Sequence, residues 1–158
     1  MNDTVKKGYI MDINIKLLND KAKIPTRGSE HSAGYDLYAV IDNVSGIQTV
    51  LPHSQVTVGL GFSIEIPEGY FGGIFARSGI ARSKGLRPSN CVGVIDSDYR
   101  GELMISVRND TDEIMGIEDS ERIGQLLILP FVDINFNSVD DLTETVRGEG
   151  GFGSTGSN

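Results

Sequence analysis

A single cysteine, Cys91, in 158 residues excludes an internal disulfide framework, a multi-cysteine metal site and thioredoxin-like chemistry. Tryptophan is absent and aromatic residues make up only 7%, so the interior is filled without many rings. No stretch approaches the roughly 20 apolar residues that a membrane-spanning helix needs. Met1 to Gly8 is polar and lacks the apolar centre and cleavage site of a secretory leader, so a cytoplasmic protein with no membrane contact is expected. Positive charge is also scarce. Fourteen Lys and Arg face 22 Asp and Glu, and a net charge of −8 gives a field that repels phosphate backbones, so no nucleic-acid partner is expected.

Glycine is abundant, at 20 residues, without a Gly-X-Y repeat or long helical heptads. That composition implies many turns and argues against a helical bundle. With 39% hydrophobic and 23% charged residues the chain can fill a core, which excludes wholesale disorder, and its length fits one domain.

Alternation of apolar and polar residues predicts strands over Asp12 to Leu18 and over Gln55 to Ile66, the latter with Val56, Val58, Leu60, Phe62, Ile64 and Ile66 on one face. Pro67-Glu68-Gly69 then makes a turn, and a strand resumes over Tyr70 to Ala76. Further strands are expected at Tyr35 to Val40, Cys91 to Ile95, Glu102 to Arg108, Arg122 to Pro130 and Val132 to Phe136. Ile123 to Leu129 is nearly all apolar and reads as buried on both faces. Only Ser78 to Ser83 suggests a helical turn or two. Short strands with Gly, Pro and Asn-Asp punctuation describe an all-β sandwich, jelly roll or closed barrel.

Three stretches carry candidate chemistry. Arg77-Ser78-Gly79 offers a guanidinium, a hydroxyl and a backbone N–H open to close approach, which suits either a phosphate or a plain helix start with a surface arginine. Gly93-Val94-Ile95-Asp96-Ser97-Asp98-Tyr99-Arg100-Gly101-Glu102 places charged groups and a Tyr in a turn behind an apolar strand. A carboxylate against apolar walls can take a proton from water and a Tyr face can support a sugar, yet Asp also favours turns for its own sake. The Gly-rich end, Gly148 to Asn158, reads as a terminus that holds no fixed shape alone. It is no Walker A loop, since no Lys follows its glycines, but Arg147, Phe152, Ser154 and Thr155 could close over a nucleotide as a lid. His31, His53 and Cys91 have no partner spacing that suggests a metal or a nucleophile, and a structural or surface role is expected for each.

The order of these stretches is more specific than any one of them. The sequence resembles the trimeric dUTPase (dUTP diphosphatase) family through Ala33-Gly34-Tyr35-Asp36-Leu37-Tyr38-Ala39, Ala76-Arg77-Ser78-Gly79-Ile80-Ala81, Asn90 to Glu102, Glu121-Arg122-Ile123-Gly124-Gln125-Leu126, and Arg147 to Gly156. Ala76 stands where the family often has Pro, and Gly124 where it often has Ala; neither change removes a reacting group.

The resemblance implies a distorted jelly-roll β domain over residues 1–147 with one short helix. It also implies a homotrimer whose flexible arm, residues 148–158, closes a site on a neighbouring subunit. The implied reaction is hydrolysis of dUTP to dUMP and pyrophosphate with Mg²⁺ on the triphosphate. By the same resemblance Asp96 is the general base, Asp36 holds a metal-bound water with no direct protein ligand to the metal, and Arg77, Ser78, Gly79 and Gln125 take the phosphates. Arg147 reaches the γ-phosphate. Asn90, Gly93, Val94, Ile95 and Met104 read uracil, Tyr99 excludes a 2′-hydroxyl, Phe152 stacks on the base, and Gly153, Ser154 and Thr155 complete the arm. The rival on the same fold, a dCTP deaminase, would usually need a Glu in the third motif, where this chain has Gly93-Val94-Ile95-Asp96. A rival of another class is a regulatory binding protein that uses the scaffold to contact a protein partner. Nothing in the sequence supports it, because every reacting group is present.

Overall fold

The computed structural model describes residues 10–151. In chain order the elements are β1 Asn14–Leu17, β2 Thr26–Arg27, β3 Tyr35–Tyr38, β4 Ile47–Val50, β5 Gln55–Gly59, β6 Phe62–Glu65, β7 Tyr70–Phe75, α1 Ser78–Lys84, β8 Leu86–Pro88, β9 Val92–Ile95, β10 Met104–Asn109, β11 Met115–Glu118 and β12 Arg122–Pro130. The strands form a five-stranded sheet in the order β2-β3-β12-β7-β9, a three-stranded sheet β5-β10-β8, and the pairs β1-β6 and β4-β11. All pairings are antiparallel. The result is a jelly roll with one short helix among the described residues, one of the all-β forms the alternating sequence left open and the one the family resemblance implies.

The core lies between the sheets and is aliphatic. Leu37, Leu60, Leu86, Leu103, Ile117 and Ile123 are fully buried around Phe62, the largest of the fully buried side chains. The buried polar side chain Asn109 is satisfied: its amide donates to the carbonyls of Val50 and Glu113, and its oxygen accepts from Thr111 N and Oγ1. It ties the end of β10 to β4 and to the loop that enters β11.

Four expectations need correction. The run Gln55 to Ile66 is two strands, because Gly61 adopts φ +72° and turns the chain between β5 and β6. Gly61 N donates to Glu102 Oε1 at 2.8 Å and its carbonyl accepts from Leu18 N at 2.8 Å, so the break is held on both sides. Val132 to Phe136 forms no strand, although its alternation is real: Val132, Ile134 and Phe136 are 79%, 63% and 92% exposed and pair with no strand among the described residues. Two-sided burial of β12 holds for Ile123, Gly124 and Leu126, whereas Leu127, Ile128 and Leu129 stay partly exposed in the single chain. Finally β2, β4, β8 and β11 were not expected; they are two to four residues long, too short for alternation to register.

Gly61 gives a stability prediction. A Cβ there would lie 2.8 Å from Ala22 Cβ and 3.0 Å from Val40 Cγ2, in a backbone conformation that costs an L-residue about 1–2 kcal/mol. Adding overpacking, Gly61→Ala should destabilise the fold by roughly 2–4 kcal/mol, measured by denaturant unfolding; a loss under ~0.5 kcal/mol would show that the turn relaxes freely.

Candidate active site

The centre of the five-stranded sheet gathers three separate stretches at one end of its strands. Register places Gln125 of β12 beside Asp36 of β3 on one side and Phe75 of β7 on the other. Phe75 leads directly into Ala76, Arg77 and α1. Three segments distant in sequence thus meet because β12 lies between β3 and β7.

Asp36 is the hub. It is 6% exposed and accepts from Arg77 through Nε at 2.6 Å and Nη2 at 3.3 Å, and from Arg122 Nη1 at 3.2 Å. A buried carboxylate needs partners of this kind, and two guanidinium groups leave the cluster with one net positive charge. Gln125 Nε2 donates to Ala76 O at 2.9 Å, fixing its carboxamide across the start of the Arg77 segment. A Cβ at Gly34 would collide with that carboxamide, which explains the glycine there. Beside this cluster opens a cleft of about 640 Å³ lined by Ser32, Ala33, Gly34, Phe75, Ala76, Cys91, Gln125 and Leu127.

The helix that follows is short and its start lacks a side-chain cap: Arg77 is the N-cap at φ −98°, ψ 133°, with no side-chain cap hydrogen bond. Ser78 and Gly79 are exposed, and the nearest atom to a Cβ on Gly79 would be Arg77 Nη1 at 4.0 Å, so a ligand can approach the backbone there. At its other end Gly85, φ +63°, closes the helix by donating to Ala81 O at 3.1 Å. Lys84 then donates to Glu121 and to Gly116 O at 2.8 Å, binding the helix to the turn that begins β12.

The third stretch meets the cleft at Cys91 and then runs away from it along β9. Asn90 and Cys91 form the turn before β9, with Cys91 at φ +64°, and the Asn90 amide sits 3.6 Å from the point a Cβ on Gly93 would occupy. Asp96 follows β9 and is exposed. Tyr99 N donates to Asp96 O at 3.2 Å and Tyr99 OH to Glu102 O at 3.0 Å, which folds the turn back toward β10. Val94, Tyr99 and Met104 are exposed apolar side chains. Because Gly72 pairs with Ile95, Asp96 lies level with Phe71, whereas Arg77 lies beyond Phe75. Phe71 and Arg77 are six residues apart along the chain, with β7 ending at Phe75, a span of at most roughly 20 Å at about 3.3 Å per residue. The single chain therefore brings Asp36, Arg77, Ser78, Gly79 and Gln125 to one end and leaves Asp96 at the other.

Arg147 is described and exposed; Gly150 N donates to its carbonyl at 3.1 Å. Phe152, Gly153, Ser154 and Thr155 lie outside the described residues. Arg122 had no assigned role in the sequence, although it lies within the fourth motif. The register shift between Arg122 and Gly124 that accompanies its contact with Asp36 leaves no compositional mark. His53 pairs with Asp112 at 2.8 Å on the surface, in keeping with the structural reading.

The strand order and the single helix among the described residues define a jelly roll whose cleft is lined by Ser32, Ala76 and Gln125, with Arg77 and the exposed Ser78 and Gly79 following Ala76 directly. Among the described residues no helix is long and apolar enough to cross a membrane. The dUTPase family model matches residues 20–156. A deoxyuridine 5'-triphosphate nucleotidohydrolase of Nautilia profundicola is 40% identical over 92% of this chain and 99% of its own length. One of Escherichia phage T5 is likewise 40% identical, over 92% of this chain and 99% of its own. Among solved structures, the Staphylococcus bacteriophage 80alpha dUTPase G164S mutant with dUpNHpp superposes with a TM-score of 0.81 at 28% identity, over 92% of this chain and 98% of that one. The chain belongs to the dUTPase family.

Proposed function

We propose that this chain hydrolyses dUTP to dUMP and pyrophosphate, acting in the cytoplasm and so limiting uracil incorporation into DNA while supplying dUMP for thymidylate synthesis. The observation that carries the reading is the meeting of the first, second and fourth family motifs on one cleft, through the Asp36–Arg77 pair and the Gln125–Ala76 hydrogen bond. Arg77, Ser78, Gly79 and Gln125 take the phosphate chain, and Arg147 reaches its γ end. Asp96 removes a proton from water as the water oxygen bonds to the α-phosphorus; the bond to the bridging oxygen breaks and pyrophosphate leaves with its electron pair.

Mg²⁺ fits this donor set as an ion carried by the substrate. Among the described residues no cluster of three His, Cys, Asp or Glu side chains is placed to ligate it. Asp36 Oδ2 accepts only two long hydrogen bonds and keeps capacity for a donor such as a metal-bound water. When bound, the ion would neutralise charge on the phosphate oxygens.

Uracil would be read by Asn90, the backbone of Gly93, Val94 and Ile95, and Met104. Hydrogen bonds along that edge would leave polar groups unpaired against cytosine. Tyr99 would leave no room for a 2′-hydroxyl. Phe152 would stack on the base, and Gly153, Ser154 and Thr155 would close the arm over the phosphates. We take the assembly to be a homotrimer in which one subunit supplies Arg77 and another Asp96. The separation of those two residues along β7 supports this, as does the uncovered apolar row Val132, Ile134 and Phe136, which a neighbouring copy would bury.

The test is pyrophosphate release from dUTP, dTTP, dCTP and UTP, with Mg²⁺ and then with chelator. Release far faster from dUTP than from the other three, and abolished by chelation, is expected; ammonia from dCTP would identify the deaminase instead. Removing residues 148–158 should leave the assembly intact by size-exclusion chromatography and lower kcat/KM on dUTP by at least about 10²-fold. A truncated chain with full turnover would remove the arm from the site.

A further inference from the structure

Outside the cleft, the turn that carries Asn90 is held by an ion pair with no assigned role. Arg87 of β8 forks onto Asp110, Nε to Oδ2 at 2.6 Å and Nη2 to Oδ1 at 3.3 Å. Its remaining nitrogen, Nη1, donates to Pro88 O at 3.1 Å and lies 4.0 Å from Cys91 Sγ. The same Pro88 carbonyl accepts from Cys91 N at 3.2 Å, and Asn90 O accepts from Val92 N at 2.7 Å. Asp110 is anchored in turn: its backbone N donates to Gly85 O at 3.1 Å and its Oδ1 accepts from Arg108 Nε at 2.9 Å. A continuous path of hydrogen bonds thus runs from Asp110 through Arg87 and the Pro88 carbonyl to the Asn90-Cys91 turn, where Cys91 occupies a left-handed conformation that a non-glycine residue keeps only when its surroundings enforce it.

We propose that the Arg87–Asp110 pair is a positioning element for base selection, fixing the Asn90-Cys91 turn so that the Asn90 carboxamide stays beside Gly93. The inference rests on the assignment of Asn90 and Gly93 to uracil recognition. Both partners are substantially exposed, at 35% and 41% of their side chains, and a surface pair of this kind contributes little to global stability. Its fork geometry instead determines where the carbonyl acceptor and the turn sit. The guanidinium of Arg87 beside it holds the Asp110 carboxyl below the ordinary carboxylate range, so the pair stays formed at neutral and mildly acidic pH.

The experiment compares kcat/KM for pyrophosphate release from dUTP and dCTP in wild type, Arg87→Met, Asp110→Asn, Asp110→Glu and Arg108→Gln. In Arg87→Met and Asp110→Asn the dUTP:dCTP ratio should fall about tenfold or more, with thermal midpoints within about 2 °C of wild type. Asp110→Glu, which keeps a carboxylate for Arg87, should recover the ratio to within about threefold, and Arg108→Gln, which leaves the path to the turn intact, to within about twofold. An unchanged ratio in Asp110→Asn overturns the proposal even if Arg87→Met fails to fold, as does a fall that Asp110→Glu does not recover. A wild type that releases no pyrophosphate from dUTP overturns the underlying assignment of the site, a result distinct from normal turnover with unmoved selectivity.

Discussion

Asp96→Asn lowers turnover of dUTP by about 10²–10⁴-fold, the usual worth of a positioned general base, and leaves nucleotide affinity near that of wild type. The amide keeps the size of the carboxylate and its capacity to hydrogen-bond a sugar hydroxyl, but it cannot receive the proton that water must lose. The loss should therefore fall on kcat and spare KM. Single-turnover hydrolysis together with equilibrium binding of a non-hydrolysable analogue separates the two. Equal turnover in the variant would take Asp96 out of the chemistry, and an equal loss of binding would make it a ligand contact only.

Mixing two inactive variants should restore activity. Arg77→Ala removes the guanidinium that Asp36 holds, and Asp96→Asn removes the base at the far end of β7. If each site draws these residues from different subunits, a 1:1 mixture unfolded and reassembled together carries both intact groups in about a quarter of its sites. Turnover should then rise to roughly a quarter of wild type, from a background about 10²-fold lower or less in either variant alone. The same mixture without reassembly should stay inactive. A mixture that remains inactive after reassembly would place both residues in one subunit's site, against their positions beyond opposite ends of the β7–β9 pairing.

How much of this was legible in the sequence depends on length and on locality. Tyr70 to Ala76 and Arg122 to Pro130 could be read as strands because each is long enough for its pattern to register, and the β12 bounds agree residue for residue. The helix was legible only as a turn, since Gly85 closes it after seven residues. The break at Gly61 was hidden because the alternation on either side stays in phase while one backbone torsion changes sign. Val132 to Phe136 carries a strand pattern that is true of its chemistry but finds no partner among the described residues. At the site, the residue types were legible from the order of the motifs. The Asp36 hub was not: its contacts with Arg77 and Arg122 span 41 and 86 positions. Such contacts arise from strand order, which no local pattern encodes.

The uncovered row at Val132, Ile134 and Phe136 carries a consequence for handling the protein. If the proposed assembly buries these side chains, folding and association would share the same free energy, and the melting point would become a function of how much protein is in the tube. Dilution would then act as a denaturant, and a figure for the ruggedness of this chain would have meaning only beside the concentration at which it was taken.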